Sequence, residues 1–157
     1  MKKSFTRVQA ENIVRPVIKR LKQFGKVEIC GSYRRGKFIV NDIDIVGDNP
    51  KMILVLSKMG TPIMGGEKQT RVIRDGLQID LIIAEKGAWG SSILFLTGSA
   101  KENVRLRAIA KGKGLKLNRN GLWDGESNVG KTLRKDLTEE QIYTLLGEKY
   151  KKPEERD

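Results

Sequence analysis

The sequence predicts an α+β fold, a mixed sheet with helices followed by a smaller, mostly helical lobe that carries a β-hairpin. Three observations point there. A helical apolar stripe near the start (Val14, Val17, Ile18, Leu21) gives way to two-residue alternation at Asp42-Ile43-Asp44-Ile45 and again over 77–83. Asp75-Gly76 and Asn120-Gly121 are strong two-residue hairpin signals. Past Gly87 the composition shifts towards segments that read as helices. The expected lobes are therefore 1–87 and 88–157.

Element by element, residues 6–24 read as a helix closed by Gly25, with Pro16 predicting a kink or a break. Its polar face holds Arg7, Arg15, Lys19, Arg20 and Lys22 against the single acid Glu11. Residues 27–30 form a short apolar strand running into Gly31-Ser32, and a second strand covers 42–46. Asn49-Pro50 opens a short helix to about Met59, because proline suits a first helical position. Strands 70–74 and 77–84 flank Asp75-Gly76. In the second of them Leu77, Ile79, Leu81 and Ile83 share one face, which sends Asp80 to the other beside Gln78 and Ile82. Helices are expected over 88–96 and 100–111, separated by the turn Thr97-Gly98-Ser99. A hairpin turns at Asn120-Gly121 between 115–118 and 122–123. Thr138-Glu139-Glu140-Gln141 fits a capping box ahead of a helix through Leu146. The polar tail from Lys151 is expected to fray.

Composition narrows the chemistry. The 157 residues carry 31 Lys+Arg against 19 Asp+Glu, a formal charge of +12, and favour a polyanionic partner such as nucleic acid. There is no histidine, which excludes Ser-His-Asp and Cys-His nucleophile systems and the usual zinc sites. The single cysteine, Cys30, rules out an internal disulfide and reads as a small buried hydrophobe. No apolar run approaches the roughly 20 residues of a membrane span, and no signal core follows Lys2-Lys3. The expectation is a cytoplasmic protein, or one found wherever a nucleic-acid partner is (nucleoid or viral compartment), neither membrane-bound nor secreted.

The densest chemical signal is Gly31-Ser32-Tyr33-Arg34-Arg35-Gly36-Lys37, then Asp42-Ile43-Asp44, then Asp80. Strand residues two apart point the same way, so Asp42 and Asp44 place two carboxylates together, and these repel unless a proton or cation neutralises them. Hard oxygen ligands with no histidine favour two Mg²⁺, with Mn²⁺ a substitute, in the arrangement used for in-line phosphoryl transfer. Gly31-Ser32 offers backbone N–H groups and a hydroxyl to phosphate, and Arg35 a charge-assisted fork. The competing reading makes Asp42 and Asp44 the solvated face of an edge strand.

These residues resemble the nucleotidyltransferase superfamily and, within it, the X-family DNA polymerases. GSYRRGK followed by DIDIV is similar to the family's catalytic pattern. LFLTGSAKENVRLRA, KGLKLNRNGLWD and TEEQIYTLLGEKYKKPEER resemble its nucleotide-binding lobe in content and order. The resemblance implies a nucleotidyltransferase-type palm followed by a nucleotide-selection lobe. It makes Asp42, Asp44 and Asp80 catalytic metal ligands, with Asp80 at the metal that lowers the primer 3′-hydroxyl pKa. Gly31, Ser32 and Arg35 become triphosphate contacts. Thr97, Gly98 and Ser99 resemble the turn against the incoming sugar, often with a cis bond at the glycine. Asn103 resembles the minor-groove contact to the incoming base, and Arg107 the one to the template. Phe95-Leu96 stands where many members carry Tyr-Phe. Asn41 replaces a glycine before the first Asp, and Gln78 replaces a basic residue two before the third. The chain opens at the palm-like lobe, as in the smallest viral members, so neither lyase activity nor 5′-phosphate gripping carries over.

Arg105, Lys111, Lys113, Lys116 and Arg119 join Arg107 and Lys101 in a basic cluster suited to tracking phosphates, and Arg15 and Lys19 on the first helix add to it. Trp89, Phe95, Trp123 and Tyr143 read as core or lobe-interface residues rather than base-stacking platforms. Gly125–Thr132 satisfies the P-loop pattern, but no buried strand precedes it and no helical period follows, so it reads as a loop near DNA phosphates. The resulting expectation is a monomeric, template-directed DNA polymerase using dNTPs on primer-template or gapped DNA, filling short gaps in repair. The alternatives are a template-independent or RNA-directed nucleotidyltransferase and a catalytically inactive DNA-binding module.

Overall fold

The computed structural model describes residues 3–125 and 132–157. The chain divides into two compact units, one up to Ile83 and one from Ala84, just before the composition shift at Gly87.

In the first unit β1 (Phe5–Thr6) leads into α1 (Arg7–Leu21), followed by β2 (Val27–Ile29), the one-turn α2 (Gly31–Arg34), β3 (Ile39–Val40) and β4 (Asp42–Gly47). Then come α3 (Lys51–Ser57), β5 (Thr61–Met64), β6 (Gln69–Arg74) and β7 (Leu77–Ile83). The five-stranded sheet has the order β2-β4-β7-β6-β5, with β4 and β7 parallel and the other pairs antiparallel. A separate two-stranded ladder joins β1 to β3.

A capping box that the sequence reading did not single out opens α1, and the expected one lies at Thr138. The Thr6 hydroxyl accepts the Gln9 N–H at 3.2 Å, and the Gln9 side chain accepts the Thr6 N–H at 2.9 Å. α1 buries Ala10, Val14, Val17 and Leu21. Pro16 does not break it. Pro16 and Asn12, whose carbonyl it leaves without an intrahelical donor, both lie on the exposed face, where water can serve that carbonyl. α3 is also shorter than expected: Pro50 precedes its first turn, and it ends at Ser57. α1 and α3 pack with Ile43, Ile45, Val72, Leu77, Ile79 and Leu81 of the sheet in one apolar core. The alternation read from the sequence is therefore literal in β7, where every odd residue from Leu77 to Ile83 is buried.

The second unit contains α4 (Trp89–Thr97), α5 (Ala100–Gly112), β8 (Leu115–Asn118), β9 (Gly121–Asp124), β10 (Thr132–Leu133) and α6 (Glu139–Leu145), ending in a 3₁₀ turn at Pro153–Glu155. The hairpin register pairs Asn118 with Gly121, so its loop is Arg119-Asn120 and Gly121 opens β9, one residue earlier than expected. β10 extends this hairpin to three strands and carries too little pattern, in two residues, to be read from sequence. Residues 126–131 of the P-loop-like segment Gly125–Thr132 lie outside the described residues.

The tail does not fray. Arg156 is fully buried. It donates through Nη1 to Glu139 at 2.6 Å and through Nε to the Lys151 carbonyl at 2.9 Å. Its guanidinium carbon lies 5.5 and 5.6 Å from the ring centroids of Tyr143 and Tyr150, which meet each other edge to face. Removing one half of this buried ion pair leaves the Glu139 carboxylate buried without this cation. Arg156→Ala is expected to cost about 3–5 kcal/mol, read as a lower urea midpoint. Tyr143 is buried with no hydrogen-bond partner for its hydroxyl among the described residues. Burial pushes the phenol up to about 12, against the pull of the Arg156 charge. The folded state thus favours the neutral phenol, a contribution complete below pH 10 and lost as pH rises through 12. Tyr143→Phe should match or exceed wild-type stability at neutral pH by up to about 1 kcal/mol and lose less between pH 10 and 12 in urea melts.

Candidate active site

β4 is an interior strand between β2 and β7, so the edge-strand reading of Asp42 and Asp44 does not hold. Ile43 and Ile45 are fully buried on one face, and Asp42 and Asp44 stand half-buried on the other. The parallel pairing sets Asp44 level with Asp80 and Asp42 level with Gln78. Three carboxylates from two strands therefore share one face of the sheet, the face opposite α1 and α3.

A residue the sequence reading missed completes the row. β6 pairs antiparallel with β7 and puts Arg71 level with Asp80. Arg71 grips that carboxylate with a fork, Nε to Oδ1 at 2.6 Å and Nη2 to Oδ2 at 3.3 Å. The Gln78 amide approaches the same two oxygens at 3.4 and 3.2 Å. Its hydrogen bond to Asp80, then the charge of that carboxylate, holds the Arg71 guanidinium above its ordinary value, and Asp42 and Asp44 add to this. The signal was present in the sequence. Counting outward from Asp75-Gly76 pairs 74 with 77, and so 71 with 80.

The glycine turn lies directly over these strands. Gly31 has φ +65°, and a Cβ there would sit 2.6 Å from Asp44 Oδ2. The Cys30 N–H donates to the Asp44 carbonyl at 2.7 Å, which ties the turn to β4. Ser32 and Arg35 follow on the turn, both half-buried. Tyr33 is braced by α1 rather than turned outward. The Arg7 guanidinium lies 3.8 Å from its ring centroid and donates to its carbonyl, while its hydroxyl donates to Glu11. Burial, with the Glu11 hydrogen bond second, raises the Tyr33 phenol above its ordinary value.

The donor set fits a hard divalent cation, since it is all oxygen and the chain has no histidine. Among the described residues no three acidic or cysteine side chains converge tightly enough to hold an ion, and Asp80 is engaged by Arg71 instead.

In the second unit Thr97 and Gly98 are buried, and the Gly98-Ser99 peptide bond is cis. Ser99 donates from its N–H and its hydroxyl to the Arg156 carbonyl, at 3.1 and 2.6 Å, and its oxygen accepts from the Glu102 N–H at the start of α5. Asn103 donates its side-chain amide to the Phe95 carbonyl at 2.8 Å, which links the two helices across this turn. Arg107, Lys111, Lys113, Lys116 and Arg119 are exposed, as are Arg15 and Lys19 on α1. Arg107, Lys111 and Lys116 rim a groove of about 550 Å³ floored by Ala108, Leu115 and Leu117. Arg105 differs from these, being half-buried and paired with both Glu102 and Glu148. Burial pushes Glu102 up, but its hydrogen bonds to Arg105 and Lys151 outweigh that and hold it below its ordinary value.

Two family models divide the chain between them. The DNA polymerase beta palm matches residues 6–97, and the DNA polymerase beta thumb matches residues 92–157. The chain belongs to the DNA polymerase beta, or X, family. Among X-family relatives, DNA polymerase lambda of Rattus norvegicus is 28% identical across 82% of this chain. The DNA polymerase/3′-5′ exonuclease PolX of Bacillus subtilis (strain 168) is 27% identical across 94% of it. The chain spans 28% of the length of each of those two proteins. The polymerase beta of Leishmania infantum, solved as a ternary P/T complex, shares the fold with a TM-score of 0.81 over 99% of this chain and 77% of that one, at 20% identity.

Gly31→Ala tests the turn. Its methyl group would push on Asp44 in a left-handed backbone conformation, at a cost of about 1–2 kcal/mol in denaturant melts.

Proposed function

We propose that this chain is a template-directed DNA polymerase that adds deoxynucleotides to a primer 3′-hydroxyl by two-metal phosphoryl transfer, acting on short gaps in DNA repair. The observation that supports it most is the row of Asp42, Asp44 and Asp80 on one sheet face, within the segment that matches the palm model. Asp42 and Asp44 would hold both cations, and Asp80 would complete the position beside the primer hydroxyl. Two Mg²⁺, or Mn²⁺ in their place, supply a lowered hydroxyl pKa and a clamp on the triphosphate when bound. In the reaction these residues would serve, the primer oxygen forms its bond to the α-phosphorus, the bond to pyrophosphate breaks, and the hydroxyl proton leaves to water.

The other roles are this chain's own. Gly31 and Ser32 present backbone N–H groups and a hydroxyl to the triphosphate, and Arg35 offsets its charge. Thr97, Gly98, Ser99 and Phe95 line the incoming sugar, and Asn103, oriented by the Phe95 carbonyl, reads the incoming base. Arg107 and the exposed Lys111, Lys113, Lys116 and Arg119 track the DNA backbone, with Arg15 and Lys19 contributing from α1. Arg105 adds positive charge there while it stays paired with Glu102 and Glu148. No helix among the described residues is long and apolar enough to cross a membrane. The reading places the protein as a monomer wherever its DNA is.

Extension of a labelled primer on one-nucleotide-gapped and open templates tests this. Templated addition with Mg²⁺ is expected, stronger on the gap, and Asp80→Asn should reduce it by about 100-fold or more, the scale of losing one preorganised charge partner. Untemplated addition would move the reading to a terminal or RNA-directed nucleotidyltransferase. Binding of gapped DNA without incorporation would make the chain a DNA-binding module.

A further inference from the structure

Asp44, Asp80 and Arg71 occupy one rung across three neighbouring strands, with Asp80 in the middle. Asp80 is drawn to the Arg71 side, and both of its oxygens accept from that guanidinium. Gln78 adds only a neutral amide to the same carboxylate. The positive charge that this carboxylate would otherwise lack is thus supplied from the adjacent strand. The pair is partly open to water, with side-chain exposures of 37% for Arg71 and 18% for Asp80, so it can be broken at modest cost.

We propose that Arg71 is a resident counter-ion for Asp80 that competes with the divalent cation, so that this ion pair sets how much cation the site requires. The inference rests on the metal-dependent reading above. Arg71 acts through Asp80, which it grips through Nε and Nη2, and is a positioning residue. Two like-charged neighbours, Asp42 and Asp44, make the pairing favourable while no cation is present. A cation shared by the three carboxylates removes that advantage.

Mn²⁺ binding to the whole protein, followed by electron paramagnetic resonance without DNA or nucleotide, reads the competition directly. Arg71→Gln is expected to tighten Mn²⁺ binding about two- to fivefold, the size of a partly exposed ion pair that no longer has to be broken. Arg71→Lys, which keeps the charge and loses the fork, should fall between. In an Asp80→Asn background the Arg71→Gln effect should disappear, because the coupling runs through that carboxylate. The Mg²⁺ concentration for half-maximal primer extension should fall in step. Weaker or unchanged Mn²⁺ binding in Arg71→Gln overturns the proposal, and so does equal tightening in the Asp80→Asn background, which would reveal only a general field effect. If wild type binds Mn²⁺ and Arg71→Gln tightens it while no primer is extended, the polymerase reading fails and the counter-ion stands. A wild-type protein that binds no Mn²⁺ at millimolar concentration overturns the counter-ion proposal, and primer extension alone then decides the polymerase reading.

Discussion

The parallel pairing of β4 with β7 carries the first unit. Each strand alternates on its own, but only their shared register decides that Asp44 meets Asp80 and that Ile43 meets Ile79. The apolar half of that register is the floor on which α1 and α3 pack, and the acidic half is the candidate site. Core formation and site formation are therefore one event. Burial of Ile43, Ile45, Ile79 and Leu81, each worth about 1.5–3 kcal/mol, offsets the repulsion among the carboxylates that their alternation necessarily gathers.

The second unit solves a different problem. Its turn at Thr97-Gly98-Ser99 is held by the backbone of Arg156, whose guanidinium is in turn held by Glu139, Tyr143 and Tyr150. Polar residues that look like a solvated tail thus act as a strut beneath α5. The same economy is seen at Arg105, whose charge balances the buried Glu102 and so stays in the structure rather than projecting from it.

What could be read from the sequence divides along physical lines. The buried stripe of α1, the odd-numbered face of β7, the capping box at Thr138 and the hairpin at Asp75-Gly76 all follow from local rules, and the structure shows each of them. The shared face of Asp42, Asp44 and Asp80 was legible because strand geometry leaves a carboxylate two choices. Elements that depend on distant partners were not: the two-residue β1 and β3 exist through each other, and β5, exposed along its length, has no alternating pattern to betray it. Pro16 leaves α1 continuous because the hydrogen bond it removes falls on the exposed face, where water can serve the Asn12 carbonyl. Arg156 was misread because a lone arginine among charged neighbours carries no mark of burial. Arg71 was within reach, but only by treating the hairpin as a ruler.

That ruler limits how this protein can change length. The turn Asp75-Gly76 is the zero from which Arg71 and Asp80 are measured. An insertion or deletion of one residue between the turn and Asp80 would rotate the carboxylate into the apolar floor and lift an isoleucine or leucine into its place. A two-residue change would keep the faces but slide Asp80 past Arg71 along the ladder. The hairpin can tolerate many substitutions, yet the segment from its turn to Asp80 is closed to changes in length, a constraint on descent that a comparison of side chains alone would never reveal.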